Sequence, residues 1–239
     1  MDNLFDMSFL SDQEVNDLKN NETSNYLREI QLKKILNNHL TIFEKEGNEK
    51  RINQIANWII RDWGGINSKN DNEKLTKDIL KSRGNMSFDR IASSSKIGAF
   101  MFPEDLIIYD SRVAYTINWI LLSTGEENDF FPIPEGRNSK MMAFDMNVLI
   151  RLKLKEKYTP TDSNSIGNKL MINNFDKGVY HSKNTAYQSL NDLIKEVHVL
   201  LWGKDHSKEL YYTEMLLFSI ADNQIYLDII NKVEFNINN

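Results

Sequence analysis

Lys96 and Asp110 are the two residues whose types and spacing could perform covalent chemistry. The run Ser93–Ser95 precedes Lys96, and we expect a tight break there, with Lys96 opening a short helix. Asp110 precedes Ser111-Arg112-Val113 and should cap the next helix, because aspartate is a favoured N-cap residue. An amine can act as a nucleophile and a carboxylate can stabilise positive charge. Two neighbouring helix starts could therefore present both groups to one cleft.

Each of these residues also has an ordinary structural explanation when it is considered alone. Asp110 could be a structural helix cap, and Lys96 could be a solvated lysine in a first helical turn. A lysine is nevertheless unfavourable there, since the positive end of the helix macrodipole repels a cation. The same repulsion favours the uncharged amine, which is the nucleophilic form. The pair is therefore the basis of the functional hypothesis.

The elements that must position this pair are predicted to be helices. Ser11 and Glu14 form a capping box, and an apolar stripe from Ile52 to Trp63 ends at Gly64-Gly65. The apolar spacing predicts helices over about 11–20, 27–46, 52–63, 71–82, 141–152, 187–202, 210–221 and 225–230. Residues 106–109 are either a short strand or an extended loop. The sequence thus predicts an all-α protein, with residues 1–239 forming a single globular unit.

Composition excludes several classes of function. The chain has no cysteine, which removes disulfides, thiol catalysis and cysteine-held iron–sulfur clusters. No apolar run approaches the ~20 residues of a membrane span, so we expect a cytoplasmic protein with no membrane association. The four histidines are scattered and no phosphate-binding glycine loop is present, so no metal and no cofactor are expected.

Charge is distributed unevenly along the chain. The net charge of −5 argues mildly against a nucleic-acid partner. Residues 81–183, however, carry 14 basic and 12 acidic side chains, a balance of +2. A local basic face is therefore possible in the segment that holds Lys96 and Asp110.

Two short strings within residues 81–122 resemble those of a known enzyme family. Ser95-Lys96-Ile97-Gly98-Ala99 is similar to the Gly-Lys-Thr-Ala type of helix opening, and Tyr109-Asp110-Ser111-Arg112-Val113 is similar to the Val-Asp-Thr-His-Val type. Together they resemble the helix–hairpin–helix (HhH-GPD) DNA glycosylase superfamily, which includes endonuclease III and the 8-oxoguanine glycosylases. The hairpin departs from the family pattern, because Ala92-Ser93-Ser94-Ser95 replaces its glycines. The spacer from lysine to aspartate is also shorter by roughly one helical turn.

The resemblance implies a fold and a reaction. It implies a two-lobed helical fold with a central helix–hairpin–helix, acting on double-stranded DNA without an iron–sulfur cluster. A damaged or modified nucleotide would be flipped into the cleft between the lobes. Lys96 would attack the anomeric carbon of its sugar and form a Schiff base that can nick the strand. Asp110 would stabilise the positive sugar, which makes Lys96 and Asp110 the catalytic pair.

The resemblance also implies residues that bind DNA. The hairpin would contact a phosphate through Ser93, Ser94 and Ser95, and Arg112 would hold a phosphate beside the flipped nucleotide. Arg112 could equally be a solvated arginine. The loop that follows would contribute to recognition of the base through Phe131, Arg137 and Asn138, although its aromatic residues could instead anchor the loop.

Two alternative functions fit the sequence. One is a non-catalytic helix–hairpin–helix module that binds nucleic acid, in which Lys96 contacts a phosphate. The other is a helical interaction protein of a host-defence or mobile-element cassette. The acidic net charge suits these alternatives slightly better than it suits a repair enzyme.

Overall fold

The computed structural model of the chain describes residues 9–20, 24–67, 72–135, 138–160, 162–164, 166, 172, 176–206 and 208–234. Helices dominate the described residues, and one isolated bridge pairs Phe130 with Tyr180. The predicted all-α class is therefore confirmed. Residues 106–109 belong to no helix and make no strand pairing among the described residues.

The described residues contain the following helices. Their bounds are α1 Asp12–Asn20, α2 Asn25–Lys45, α3 Glu49–Trp58, α4 Asn72–Ser82, α5 Ile91–Met101, α6 Ser111–Thr124, α7 Ser139–Ala143, α8 Met146–Lys153, α9 Ala186–Trp202, α10 Tyr211–Ile220 and α11 Gln224–Lys232. A π-helical turn, Ile59–Trp63, continues α3, and short 3₁₀ turns cover Lys155–Tyr158 and Lys204–His206.

The chain divides into two compact units. Unit 1 comprises Met1–Tyr109 and Asn191–Met215, and unit 2 comprises Asp110–Leu190 and Leu216–Asn239. The boundary after Tyr109 lies directly before one of the two residues of the predicted pair. The expected single globular unit stays a prediction.

Local signals explain how the helices of unit 1 begin and end. The capping box is confirmed, because the Ser11 N–H donates to Glu14 Oε2 at 2.8 Å and the Glu14 N–H to Ser11 Oγ at 3.3 Å. The π-helical turn ends where the Gly64 N–H donates to Ile59 O at 2.9 Å, and Gly65 then adopts a φ of 63°. Glycine adopts this left-handed conformation at little cost, so the predicted stop at Gly64-Gly65 is also confirmed.

A buried ion pair lies in the core of unit 1. Lys33 Nζ and Glu214 Oε2 are 2.9 Å apart, and their side chains are only 3% and 4% exposed. The same carboxylate oxygen accepts a long hydrogen bond, 3.4 Å, from the Ile108 N–H. Lys33 Nζ also lies 5.6 Å and 5.4 Å from the ring centroids of Trp63 and Phe100. The charges are thus removed from water and compensated by each other.

The core of unit 2 forms around α6. Asn118 is fully buried and binds the backbone of Phe131 through two hydrogen bonds of 2.8 Å, one donated by its Nδ2 and one accepted by its Oδ1. Trp119 Nε1 donates to Asp228 Oδ2 on α11, also at 2.8 Å. These polar contacts hold the loop after α6 and the last helix against the same helix.

Candidate active-site residues

The serine run lies inside a continuous helix. α5 begins at Ile91, so Ser93, Ser94 and Ser95 are helical and buried, and the predicted serine-rich break is wrong. The chain turns earlier, because Arg83, Gly84 and Arg90 have φ values of 44°, 110° and 61°. The N–H groups of Ser93 and Ser94 donate to Arg90 O at 2.8 Å and 2.9 Å. The helix thus uses the two N–H groups that the expected hairpin would have offered to a phosphate.

Ser95 connects two segments of unit 1. Its Oγ accepts a hydrogen bond of 2.9 Å from the Tyr109 N–H, and both residues are buried. This bond joins the residue immediately before Lys96 to the residue immediately before Asp110. A serine at this position therefore has a structural role that its type and position in the sequence did not reveal.

Lys96 lies in the second turn of α5, five residues after Ile91. The expectation that it opens a helix is therefore wrong. Macrodipole repulsion falls off within the first turn, so it no longer supplies a reason for an uncharged amine. The residue is 8% exposed, and its Nζ donates to Ala92 O at 3.1 Å. Its aliphatic stem packs against Gly64, where an added Cβ would lie 3.0 Å from Lys96 Cδ.

Asp110 caps α6, as its position in the sequence predicts. Its backbone is extended, and its Oδ1 accepts the N–H groups of Arg112 at 2.8 Å and Val113 at 3.1 Å. The side chain is half-buried at the first residue of unit 2. The capping bonds fix the orientation of a carboxylate at the positive end of a helix, where negative charge is favoured.

A small pocket lies beside the start of α6, within unit 2. This α6 pocket has a volume of about 220 Å³, and Ser111 and Tyr115 form one wall. Met141 and Met146 line another part, and Asn138 lies at its side. The volume is below the roughly 300–1,000 Å³ of drug-sized ligand sites. Its size and its methionine and tyrosine side chains suit a small planar group.

Asn138 is the predicted recognition residue that lies at this pocket. Its Oδ1 caps α7 by accepting the N–H groups of Lys140 at 3.0 Å and Met141 at 3.2 Å. Its Nδ2 donates to Asp222 Oδ2 at 3.0 Å. Asn138 is thus held rigidly at the rim, and its amide already has protein partners.

The other predicted binding residues lie elsewhere or are held by neighbours. Arg112 Nη2 lies 3.5 Å from Asp222 Oδ2, and its guanidinium is 4.5 Å from the ring centroid of Phe218. Phe131 is 2% exposed and packs on His181 with ring centroids 4.6 Å apart, so its ring anchors the loop. Arg137 lies outside the described residues.

Comparison of the chain with protein-family models, curated proteins and solved structures finds no match. Within the described part of the chain, no helix is long and apolar enough to cross a membrane. The same residues contain no group of three His, Cys, Asp or Glu side chains that could hold a metal ion.

Proposed function

We propose that the protein is a helical, glycosylase-like enzyme that excises a damaged or modified base from DNA, with Lys96 and Asp110 performing the chemistry. The hydrogen bond from the Tyr109 N–H to Ser95 Oγ is the observation that carries the proposal. It ties together the two segments in which the resemblance lies. The capping geometry of Asp110 adds support, because it holds a carboxylate in one orientation.

In the proposed reaction the Lys96 amine attacks C1′ of a flipped nucleotide. The new N–C1′ bond forms as the glycosidic bond breaks, and the base leaves with the bonding electron pair and takes up the proton that the amine loses. Opening of the sugar ring then breaks the C1′–O4′ bond, passes the second amine proton to O4′ and leaves a Schiff base between Lys96 and C1′. A deeply buried amine suits this role, because desolvation favours the uncharged form. The amine must first release Ala92 O, so a side-chain rotation precedes the attack. The Asp110 carboxylate stabilises the positive charge that develops on the sugar.

The base of the substrate has a candidate position in this proposal. The released base would occupy the α6 pocket, which begins at Ser111, the residue after Asp110. The two-lobed glycosylase fold belongs to the same proposal, and the all-α architecture supports it.

Base release from DNA tests the proposal directly. Duplexes that each carry one damaged or modified base are incubated with the protein, and the free base is measured by mass spectrometry. Asp110→Asn keeps the cap, because asparagine is an equally good N-cap residue, but it removes the charge. We expect this variant to release base about 10²–10³-fold more slowly.

Asp105→Asn is the matched control. Asp105 is exposed and pairs with Lys195 at 3.0 Å, so its substitution removes the same charge from the neighbouring loop. We expect its rate to stay within about twofold of the native rate, as for a surface substitution away from the site. Equal losses in the two variants would contradict a specific role for Asp110.

A non-catalytic nucleic-acid-binding module is the alternative function, and the bond from Lys96 Nζ to Ala92 O favours a lysine that takes no part in chemistry. That bond gives the amine a structural role within α5. This alternative predicts DNA binding that survives Asp110→Asn and no release of base from any duplex in the panel.

A further inference from the structure

A basic groove lies in unit 2, on the far side of Ile133 and Asn147 from the α6 pocket. The groove has a volume of about 560 Å³, and Ile133 and Asn147 line both cavities. Four basic side chains and one acidic side chain face it. They are Arg151, Lys177, His181, Lys183 and Asp176.

The acidic residue of the groove is already compensated. Asp176 Oδ2 accepts a hydrogen bond of 2.9 Å from Arg151 Nη2, and Asp176 Oδ1 accepts one of 2.9 Å from the Tyr158 hydroxyl. The charge of Asp176 therefore balances that of Arg151. With the exposed Lys177 and Lys183, the formal charges of the residues that line the groove sum to +2, not counting His181. The lining of the groove is therefore positive although the net charge of the chain is −5.

Two further features suit the groove to an anion. Asp176 and Tyr158 hold the Arg151 guanidinium in place, and a fixed guanidinium matches the geometry of a phosphate. Ser182 and Lys183 line the groove a few residues before α9, and the Ala186 N–H of that helix donates to Ser182 O at 2.8 Å. The positive end of the α9 macrodipole therefore adds to the field of the side chains.

We propose that the basic groove binds backbone phosphates of the DNA strand whose nucleotide enters the α6 pocket. A nucleotide joins a planar base to an anion, and here a small pocket that carries no basic side chain lies beside a cationic groove. The two cavities share two wall residues, and the only charged residues of the pocket lining are Glu135 and Asp145. Pro132 and Ile133 offer apolar surface for the sugar that connects the base to the phosphate. The inference rests on the proposed function, since DNA is the ligand, but it assigns phosphate binding to residues outside the proposed chemistry.

The salt dependence of DNA binding tests the groove. Binding of a fluorescent 20-nucleotide single strand and of the matching duplex is measured between 50 and 300 mM KCl. The double variant Lys177→Ala/Lys183→Ala removes two exposed cations, so it should fold normally. We expect the slope of log Kd against log salt to fall by about 1.4 for the single strand and about 1.8 for the duplex, because each lost phosphate contact contributes about 0.7 or 0.9.

Lys153→Ala/Lys155→Ala is the matched control. Both lysines are exposed and both line a different cavity of unit 2, so the variant loses the same charge at another place. We expect its slope to change by less than about half as much. Equal changes in the two double variants, or no change in either, would overturn the proposal.

Two further measurements complete the test. The first distinguishes DNA from free phosphate as the ligand of the groove, and the second distinguishes failure of the groove proposal from failure of the proposed function. Inorganic phosphate at 10 mM should displace little DNA at constant ionic strength, and full displacement would overturn the assignment in favour of a free phosphate. Base release is measured on the same variants. DNA binding with the expected slopes but no base release would refute the proposed function and leave the groove intact. Base release with an unchanged slope in Lys177→Ala/Lys183→Ala would refute the groove alone.

Discussion

Breaking the ion pair between Lys33 and Glu214 should reveal how strongly it contributes to the stability of unit 1. At 2.9 Å, two unit charges attract by about 6 kcal/mol if the effective dielectric constant is about 20. Desolvation of the two ions opposes this attraction by several kcal/mol each, so the intact pair adds little net stability. Removal of one partner leaves the other charge buried and uncompensated. We therefore expect Lys33→Met or Glu214→Leu to lower the free energy of unfolding by about 3–5 kcal/mol.

The double variant should recover most of this loss. Lys33→Met/Glu214→Leu removes both charges and leaves the Ile108 N–H without its long bond of 3.4 Å. We expect its free energy of unfolding to lie within about 2 kcal/mol of the native value. The summed losses of the single variants should thus exceed the loss of the double variant by at least about 3 kcal/mol.

Denaturation by urea at pH 7 measures these four free energies, with circular dichroism and tryptophan fluorescence as independent probes. Lys77→Met/Glu73→Leu and its single variants form the control cycle, because that pair is exposed and lies one helical turn apart at 3.2 Å. The control coupling should be far smaller than that of the buried pair, because solvent screens an exposed pair. Single losses below about 1 kcal/mol at Lys33 and Glu214, or additive losses in the double variant, would refute the assignment of a desolvated pair.

Three further variants test other parts of the structure. Burial acts to raise the pKa of Glu209, but hydrogen bonds from His206, Lys34 and Tyr211 outweigh it and lower that pKa from 4.5 to about 2. The resulting stabilisation is present above pH 4.5 and is lost as the pH falls through about 2. Glu209→Gln should therefore lower the free energy of unfolding by ~1–2 kcal/mol at pH 7, after allowance for solvent screening, and by progressively less in acid. A loss that does not depend on pH would contradict this. Asn118→Ala should lower the free energy of unfolding, measured in urea, by about 2–4 kcal/mol, because it leaves the buried N–H and C=O of Phe131 unpaired. A loss below about 1 kcal/mol would argue against the two hydrogen bonds. Gly64→Ala should lower the free energy of unfolding by about 1–3 kcal/mol and lower Tm, because the added Cβ would lie 2.8 Å from two backbone oxygens. Gly178→Ala is the control and should leave Tm unchanged, because its Cβ would have no atom within 4 Å. Equal Tm values for the two variants would contradict the predicted clash.

Features set by neighbours along the chain were predictable from the sequence. The capping box at Ser11, the stop at Gly64-Gly65 and the cap at Asp110 each involve residues within a few positions of one another. Apolar spacing has the same local character, so the all-α class followed from it. These signals locate most of the helices, although they miss the start of α5 at Ile91. They do not specify which side chains the helices bring together.

Features set by tertiary contacts were not predictable in this way. Serine is common in turns, yet Ser94 lies within α5, where its Oγ can donate to Arg90 O at 3.3 Å and the helix therefore satisfies its hydroxyl. Lys33 and Glu214 are 181 positions apart, and no local pattern indicates their pairing. The basic groove likewise draws its residues from three separate segments. Asn138 was a predicted site residue, but the pocket beside it depends on packing between α6, α7 and α8.

Trapping the covalent intermediate tests the central claim most directly. The protein is incubated with a duplex from which it releases a base, sodium borohydride is added, and the DNA-linked peptide is mapped by mass spectrometry. We predict an adduct on Lys96 that is lost in Lys96→Gln and in Lys96→Met, both checked for native circular dichroism. Lys195→Gln, which alters a half-buried lysine outside the proposed site, should give the native yield. Base release without any adduct, or an adduct that maps to another lysine and survives in both Lys96 variants, would contradict the assignment of Lys96 as the nucleophile.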